Sequence, residues 1–573
     1  MGNVKNKSIN RRKVLAVAVL FIFFALFVKL AFVQVFLYSK INKAVERMVK
    51  RENVEMPKRG DILDAKGRVL ATSVRRYNLF LDPKMIADFG EVKNKLANHN
   101  ITFKQKNLKE FGDTSYFPVA FNLDENEVRQ IKAEKLFGVG FESKFIRQYP
   151  EGRLLAHILG ITGSEGMGLD GVEKICNPYL SGESVKTTQY KDGRGKIISD
   201  KFVDASKIRG SDITLAIDKN IQFIAEQELR KAFSDFKAKK AICIVQNPNN
   251  GDILAMVSLP DFDFSEKVKD IGVLKNTAIS DIFEPGSTFK IVTVAAGLEE
   301  NKTMLLENFY LENGRYKIGK HTIRDDHKIQ GYASLSKIME QSSNIGMVKI
   351  AQRMGSNYFY EYIRKIGFYS LTGIDLPGEA RGLLLAEKDW SALTLPTVSF
   401  GQGIGVTAIQ LINSFSAVAN GGMLLKPIII KNIENTPHEN MSFFEPKEIR
   451  RVMSEGTSSE LRQLLKNVVD KGTGKSAKIA GYSIGGKTGT AQKIDPFTKK
   501  YSTKHYVTSF CGMIPAMKPE LVILVIIDEP KGDYYASSVT APVFARIAER
   551  SAQYLNLVKD EPENDKTKNK AKK

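Results

Sequence analysis

The stretch FEPGSTFKIVTVAAGL, residues 283–298, joins a helix-breaking cluster to an almost entirely apolar run. Proline and glycine near its start interrupt the preceding element, and the apolar run has the composition of a buried helix. Ser287 therefore stands in the first turn of this helix, and Lys290 shares its face because helical residues three apart are neighbours. Burial would lower the pKa of Lys290 toward the value that a general base needs. The pattern predicts a serine nucleophile activated by a lysine.

The motif Ser342-Ser343-Asn344 places a hydroxyl and a side-chain amide two residues apart. We expect Ser342 to relay a proton to a leaving group and Asn344 to hold an acceptor on the substrate backbone. A polar turn could have the same three residues, so this motif indicates a catalytic site only together with the other two motifs.

The motif Lys487-Thr488-Gly489-Thr490 follows a pair of glycines. Glycine lets another backbone approach a strand edge closely, so a peptide could add there as an extra strand. Lys487 and the hydroxyls of Thr488 and Thr490 would then face the terminal carboxylate of that peptide. A glycine-rich turn with a surface lysine is the alternative for this motif alone.

In this order, motifs of these three kinds are a signature shared by penicillin-binding proteins and class A β-lactamases. The chain resembles the class B penicillin-binding proteins over nearly its whole length, and within them the division-specific, septal transpeptidases. The letters Lys-Thr-Gly-Thr and Ser-Ser-Asn, rather than Lys-Ser-Gly-Thr and Ser-x-Asp, favour the division enzymes. Further stretches that carry the resemblance are RGDILDAKGRVLATS (59–73), IRQYPEGRLLAHILGITG (146–163), GLDGVEKICNPYLSG (168–182), LAIDKNIQFIAEQEL (215–229) and SFGQGIGVTAIQL (399–411).

The resemblance implies a serine-type D-Ala-D-Ala transpeptidase that cross-links peptidoglycan stem peptides during septum formation. Its acyl-enzyme would also form with β-lactams, and a D-Ala-D-Ala carboxypeptidase side activity would use the same intermediate. Backbone N–H groups of Ser287 and Thr490 would form the oxyanion hole. No metal or nucleotide cofactor is implied. The site residues that the resemblance implies are Ser287, Lys290, Ser342, Asn344 and Lys487 for catalysis, and Thr488, Gly489 and Thr490 for substrate binding.

The partners that the resemblance implies are D-Ala-D-Ala stem peptides, β-lactams, the membrane, a SEDS-family glycan polymerase and other division proteins. Three alternatives stay open: an elongation-type class B penicillin-binding protein, a β-lactamase or β-lactam sensor with the same serine triad, and a non-catalytic scaffold. A soluble hydrolase would not need an anchor or a second domain, and a scaffold would lose a motif residue.

The composition fits an extracytoplasmic enzyme better than a nucleic-acid binder. The net charge is +21, but the lysines are spread widely and no nucleic-acid motif accompanies them. We interpret the positive charge as a feature that keeps the chain soluble and attracts it to an anionic membrane and cell wall. Three cysteines at scattered positions give neither a disulfide framework nor a metal cluster.

The N-terminal region predicts a membrane anchor. Residues 14–38 are apolar apart from a few positions, which is long enough to cross a bilayer core of about 30 Å. Arg11, Arg12 and Lys13 precede this stretch, so the positive-inside rule places residues 1–13 in the cytoplasm and the rest outside. A cleaved signal peptide is the alternative, but no small-x-small cleavage site follows. Lys29 inside the span is a candidate contact with another membrane protein.

The remaining chain divides into two predicted domains. Residues 39–205 would hold a juxtamembrane helix over 41–55 and an elongated, non-catalytic pedestal of mixed α/β structure that resembles a dimerisation domain. Residues 206–558 would form the transpeptidase domain, followed by a lysine-rich disordered tail over 559–573.

The transpeptidase domain is predicted to contain one antiparallel sheet of five strands. Residues 241–246 and 252–258 are predicted to form a hairpin, and residues 505–514 and 520–528 a second pair of strands. The strand that carries the Lys487 motif is the fifth. Thr407 and Gln410 form a capping box at the start of an apolar helix that ends at Asn420. The fold class is therefore α+β, with the sheet packed between helices and the site between the sheet and the helical region.

Overall fold

The computed structural model describes residues 5–40, 42, 50–55, 57–182, 185–191, 197–200, 209–266, 268–434, 447–495 and 497–562. The chain forms two compact units, one of residues 1–58 and 182–209 and one of residues 59–181 and 210–573.

Runs of helices and runs of strands follow one another along the described chain, the longest being five helices within residues 335–419 and four strands within residues 308–334. The helices are α1 (Lys5–Val35), α2 (Phe89–Asn98), α3 (Glu125–Ala133), α4 (Ala156–Leu159), α5 (Gly171–Ile175), α6 (Asn177–Leu180), α7 (Lys219–Asp235), α8 (Thr277–Ser280), α9 (Lys290–Glu299), α10 (Leu335–Glu340), α11 (Asn344–Met354), α12 (Ser356–Lys365), α13 (Thr394–Val398), α14 (Ala408–Ala419), α15 (Glu455–Lys471) and α16 (Ala541–Tyr554). The strands are β1 (Lys50–Glu55), β2 (Ile62–Leu63), β3 (Val69–Leu81), β4 (Phe117–Leu123), β5 (Val139–Gln148), β6 (Val185–Lys191), β7 (Ile197–Asp200), β8 (Asp212–Leu215), β9 (Lys240–Gln246), β10 (Ile253–Leu259), β11 (Asn308–Tyr310), β12 (Arg315–Ile318), β13 (His321–Arg324), β14 (Tyr332–Ser334), β15 (Met423–Leu425), β16 (Ile430–Glu434), β17 (Glu448–Arg451), β18 (Gly485–Ile494), β19 (Tyr501–Ile514) and β20 (Leu521–Asp528).

The first unit contains the apolar N-terminal helix and a small sheet. Within α1, the span Arg11–Val35 is long and apolar enough to cross a membrane. Strands β1, β6 and β7 form a three-stranded antiparallel sheet in the order β1-β6-β7.

The second unit is built around a five-stranded antiparallel sheet in the order β10-β9-β20-β19-β18. Helices α7 and α16 pack on one face of this sheet, and α14 and α15 pack on the other. The strand alternation explains how both faces are covered: Ile242 and Ile244 join one apolar cluster, whereas Cys243 and Val245 join the other. The predicted sheet between helices and the α+β class are confirmed.

The second unit also holds a six-stranded sheet at the junction of the two predicted domains. Its path is β16-β8-β2-β3-β4, and β5 pairs with the other side of β3. Strand β16 comes from the C-terminal half of the chain, so this sheet joins the two predicted domains. A buried ion cluster supports the same region, because Arg59 Nε and Arg147 Nε each lie 2.6 Å from the Glu173 carboxylate. Paired in this way, all three charges can be buried.

Two predictions near the membrane anchor differ from the structure. The predicted juxtamembrane helix is wrong over residues 50–55, which form strand β1. Residue 42 is helical, and positions 41 and 43–49 lie outside the described residues. Pairing with β6 satisfies the backbone of this short segment, which is too short to hold a helix alone. Helix α1 ends at Val35, before the predicted end of the span at 38, because the N–H groups of Phe36 and Leu37 both bond to the Phe32 carbonyl.

The predicted disordered tail is wrong at its start, because residues 559–562 are described and Asp560 is held by hydrogen bonds. Asp560 accepts a hydrogen bond from the backbone N–H of Ser483 at 2.7 Å, and its own N–H bonds to the Gly481 carbonyl at 3.1 Å. These contacts fix the chain beside the start of β18. Residues 563–573 lie outside the described residues.

Candidate active site

The predicted nucleophile lies in a single 3₁₀ turn, Gly286–Phe289, that leads directly into α9. Gly286 adopts a positive φ of 54° and donates its N–H to the Gly401 carbonyl at 3.0 Å. Thr288 Oγ1 donates to the Pro285 carbonyl at 2.7 Å, which closes the turn. Ser287 is left half-buried at the start of an apolar helix, in the position that the sequence predicts.

Lys290 is completely buried on α9, and its ammonium group is held by the second motif. Its Nζ donates to the Ser342 carbonyl at 2.6 Å, to Ser342 Oγ at 3.1 Å and to Asn344 Oδ1 at 2.7 Å. Among the described hydrogen bonds none joins Lys290 to Ser287. Burial lowers the pKa of Lys290 to about 7, although the nearby Asp325 and Asp326 carboxylates oppose the shift.

The second motif bridges two helices. Ser342 follows α10 in the left-handed conformation, with φ of 58°, and its N–H bonds to the Met339 carbonyl at 3.2 Å. Ser343 is the N-cap of α11 and accepts the N–H of Gly346 at 3.0 Å. The chain reverses direction between α10 and α11, and this reversal brings both the Ser342 and the Asn344 side chains to Lys290.

Asp325 fixes this reversal and was not predicted from the sequence. Its carboxylate accepts the Ser343 hydroxyl at 2.7 Å, the Asn344 N–H at 2.6 Å and the Ile345 N–H at 3.0 Å. A negative group at a helix N-terminus is favourable, and here it also sets the position of Asn344. Asp325 stands just after β13 and no short motif connects it to Ser343, so sequence patterns gave no signal for it.

Lys487 lies on the edge strand β18 and is also completely buried. Its Nζ donates to Ser342 Oγ at 3.0 Å and to the Thr488 carbonyl at 3.1 Å. Burial, and then the positive charge of Lys290, lowers the pKa of Lys487 well below its usual value. The structure therefore brings both predicted lysines and Ser342 into one cluster.

The Ser342 hydroxyl sits between the two lysines and accepts a hydrogen bond from each. A hydroxyl oxygen has two acceptor positions and one hydrogen. Because both acceptor positions are occupied, the Ser342 hydrogen is available for donation to a third group. This arrangement suits a proton relay.

Gly489 allows β18 to lie against the nucleophile turn. A Cβ at this position would come within 2.9 Å of Thr288 Cγ2 and 3.0 Å of the Pro285 carbonyl. The next residue, Thr490, accepts the Ala536 N–H at 3.4 Å through Oγ1. Thr488 Oγ1 lies 2.9 Å from Thr473 Oγ1. The eight predicted site residues thus belong to adjoining elements of one unit.

Aromatic rings flank the end of β18 that carries Thr490, and the sequence reasoning missed them. Tyr506 stacks on Tyr534 with a centroid distance of 4.2 Å, and Tyr534 contacts Tyr535 at 4.6 Å. Tyr535 precedes Ala536, which donates to Thr490. Tyr506 pairs with Gln492 on β18, so these rings lie close to Thr490 along the chain and the strand register.

The part of the chain that the structure describes holds no group of three or more His, Cys, Asp and Glu side chains arranged to bind a metal ion. The polar groups of the site are instead amines, hydroxyls and amides, which transfer protons and donate hydrogen bonds.

Comparisons with known proteins agree with this geometry. Residues 241–549 match the penicillin binding protein transpeptidase domain, and residues 54–215 match the penicillin-binding protein dimerisation domain. The chain is 33% identical to stage V sporulation protein D of Bacillus subtilis, over 94% of this chain and 84% of that protein. It is 30% identical to the peptidoglycan D,D-transpeptidase FtsI of Escherichia coli, over 88% of this chain and 84% of that protein.

A solved structure shares the fold. The crystal structure of penicillin binding protein 3 from Mycobacterium tuberculosis, in complex with aztreonam, superposes with a TM-score of 0.69 at 27% identity, over 89% of this chain and 99% of that one. A serine-lysine helix, a buried lysine on an edge strand and a shared hydroxyl between them accompany these matches. The chain therefore belongs to the class B penicillin-binding proteins.

Proposed function

We propose that this chain is a β-lactam-sensitive peptidoglycan D,D-transpeptidase that cross-links stem peptides during septum formation. The observation that carries the proposal is the Ser342 hydroxyl held between the buried amines of Lys290 and Lys487, next to the turn that presents Ser287. Such a cluster provides a base and a relay for acyl transfer.

Acylation begins with a neutral Lys290. A neutral amine has two hydrogens and one lone pair, so it cannot keep all three of the hydrogen bonds that Lys290 makes here. Release of the longest, to Ser342 Oγ, frees the lone pair to take the Ser287 proton. Ser287 Oγ then attacks the penultimate D-Ala carbonyl, and the backbone N–H groups of Ser287 and Thr490 stabilise the oxyanion.

Collapse of the tetrahedral intermediate breaks the peptide bond to the last D-Ala. Its nitrogen takes the free Ser342 hydrogen, while a lysine proton returns to Ser342 Oγ. Asn344 orients the substrate backbone, and the Thr488 and Thr490 hydroxyls hold the terminal carboxylate. An amine from a neighbouring stem peptide then attacks the acyl-enzyme carbonyl. Its proton passes through Lys290 to Ser287 Oγ as the ester bond breaks, which releases Ser287 and forms the cross-link.

The proposed organisation places a single span at the membrane. Residues 1–13 are cytoplasmic, 14–38 form the anchor, 39–205 the juxtamembrane segment and pedestal, 206–558 the transpeptidase domain and 559–573 the tail. The catalytic domain then faces the outside of the cytoplasmic membrane. A SEDS-family glycan polymerase and other division proteins are the proposed protein partners. Support for this orientation comes from Arg11, Arg12 and Lys13 before the apolar helix.

A labelled penicillin tests the enzymatic proposal on the full chain in detergent. Fast acylation with slow release fits a transpeptidase, rapid turnover fits a β-lactamase, and no adduct fits a scaffold. Ser287→Ala is the matched control, since it removes only the nucleophilic oxygen. A covalent adduct on the Ala variant by intact mass would contradict the assignment of the nucleophile.

Depletion of the protein from growing cells tests the septal role. Filamentous cells are expected for a division enzyme, and rounded cells would support the elongation alternative. The Bacillus subtilis relative is named for sporulation. Normal vegetative shape combined with defective spores would therefore replace the septal proposal with a sporulation role.

A further inference from the structure

The turn Gly472-Thr473-Gly474 at the end of α15 packs against Glu340, two residues before Ser342 of the second motif. The N–H groups of Gly472 and Gly474 both bond to the Val468 carbonyl at 3.0 Å, which ends the helix. A Cβ at Gly472 would lie 2.3 Å from the Glu340 carbonyl oxygen. The turn therefore rests directly on the last residue of α10, with no room for a side chain at that point.

Thr473 connects this point to the third motif. Its backbone N–H donates to the Glu340 carbonyl at 3.1 Å, two residues before Ser342. Its hydroxyl lies 2.9 Å from the hydroxyl of Thr488 on β18. Thr473 thus reaches from the segment that carries Ser342 to the strand that carries Lys487, although it belongs to neither motif.

Either hydroxyl could be the donor across the 2.9 Å contact between Thr473 and Thr488, and the direction in which Thr473 donates sets where the Thr488 hydrogen points. Lys487 Nζ also donates to Thr488 Oγ1, at 3.4 Å. When Thr473 donates as well, both acceptor positions of the Thr488 oxygen are filled. The Thr488 hydrogen must then be directed away from Lys487 and Thr473. It becomes a donor with no acceptor among these neighbours.

We propose that Thr473 is a positioning residue for the carboxylate of the acyl donor: it holds the Thr488 hydroxyl in the orientation that donates to an anionic oxygen. The ligand class is a peptide or β-lactam with a free carboxylate beside the scissile amide. This inference rests on the proposed function, because Thr488 contacts that carboxylate only if the chain binds such donors.

Variants of Thr473 on the full chain in detergent provide the test. Thr473→Val keeps the branched shape and removes the donor, so the second-order acylation rate with a D-Ala-D-Ala-type thioester should fall about five- to tenfold. Thr473→Ser returns the hydroxyl and should regain most of the rate. Thr473→Ala, which also lacks the donor, should repeat the loss even if the valine variant folds poorly.

Two further readouts separate positioning from a merely structural role. With a thioester whose terminal carboxylate is replaced by a primary amide, the loss caused by Thr473→Val should shrink to about twofold or less. In a Thr488→Val background, Thr473→Val should cause little additional loss with the carboxylate substrate. An equal loss on both substrates, or full additivity in the double variant, would overturn the inference.

The outcome also distinguishes this inference from the proposed function. If the unmodified chain forms no adduct with labelled penicillin, the proposed function fails and the inference fails with it. If the unmodified chain is acylated normally and Thr473→Val matches it on the carboxylate substrate, only the inference is overturned.

Discussion

Lys290 Nζ lies 2.7 Å from Asn344 Oδ1, so the lysine proposed as the general base is held in place by the Ser342-Ser343-Asn344 motif. Lys290 also donates twice to Ser342, and these three bonds use every hydrogen of a charged ammonium group. Catalysis therefore requires loss of a proton before Lys290 can turn to Ser287. The two lysines titrate as a coupled pair, and in the proposed mechanism the charge state of that pair governs the reaction.

The first prediction concerns pH. Burial lowers the pKa of Lys290 to about 7, and its neutral form increases as pH rises through that value. The second-order rate of acylation by a β-lactam should therefore rise between about pH 5.5 and 8 and then level off. Because Lys290 and Lys487 are close neighbours, the apparent midpoint belongs to the pair. Stopped-flow acylation across this range measures it, and a flat profile would contradict a lysine base.

The lowered pKa of Lys290 also makes the free energy of unfolding depend on pH. The folded-state pKa of Lys290 is below its ordinary value of 10.5, so the unfolded chain binds more protons between the two values. The contribution of Lys290 to the free energy of unfolding should then rise with pH from about 7 to 10.5. Lys290→Met serves as the comparator, since it cannot titrate. As the pH falls from about 10.5 to 7, the melting temperature of the unmodified protein should drop relative to that of Lys290→Met.

The second prediction concerns Asp325. Asp325→Ala removes an acceptor that receives three hydrogen bonds at the start of α11, so the free energy of unfolding should fall by about 2–4 kcal/mol. Asp325→Asn should shift the pH midpoint of acylation downward, because the Asp325 charge raises the pKa of Lys290. Asp389→Asn, at an exposed site, is the control and should change neither quantity. An unchanged midpoint for Asp325→Asn would show that this carboxylate does not act on Lys290.

The sequence predicted those parts of the molecule whose cause is local. The strands of the five-stranded sheet follow from alternation and turn residues, and α14 begins at Thr407 with the predicted capping box. The residues that meet around Ser342 were predicted because each motif carries its own reactive side chains, and their catalytic roles stay predictions. Strand β1 was missed because its partner β6 lies far along the chain. Asp325 and Thr473 were missed because each acts through a partner in another element.

The third prediction concerns membrane topology. The helix Arg11–Val35 is long and apolar enough to cross a bilayer, and its first three residues, Arg11, Arg12 and Lys13, are basic. A reporter fused after residue 573 should be active only if it functions outside the cytoplasm. The mature chain should keep residues 1–13. An N-terminus that begins beyond residue 25 would indicate a cleaved signal peptide and would contradict the anchor.

The last prediction concerns the third motif, where Lys487 and Thr490 act on charge and geometry. Thr490→Val removes one hydroxyl that would bind the donor carboxylate, so acylation efficiency should fall about ten- to a hundredfold, or about 1.5–3 kcal/mol. Its melting temperature should hardly change, because the one hydrogen bond of Thr490 Oγ1 among the described residues is long, 3.4 Å from the Ala536 nitrogen. Lys487→Ala should lose more, since Lys487 is completely buried and donates to Ser342 Oγ at 3.0 Å.

Thr490→Val should slow acylation by two different donors, a β-lactam and a D-Ala-D-Ala thioester, because each places a carboxylate beside the carbonyl that Ser287 attacks. Lys487→Ala should slow the β-lactam more than the thioester, since a leaving amine needs a proton from the Ser342 relay whereas a thiolate leaves without one. Thr490→Ser keeps the hydroxyl and is the matched control for Thr490→Val. Near-normal rates with both donors in the Thr490→Val and Lys487→Ala variants would mean that β18 only supports the fold, and the carboxylate would then have to be bound elsewhere.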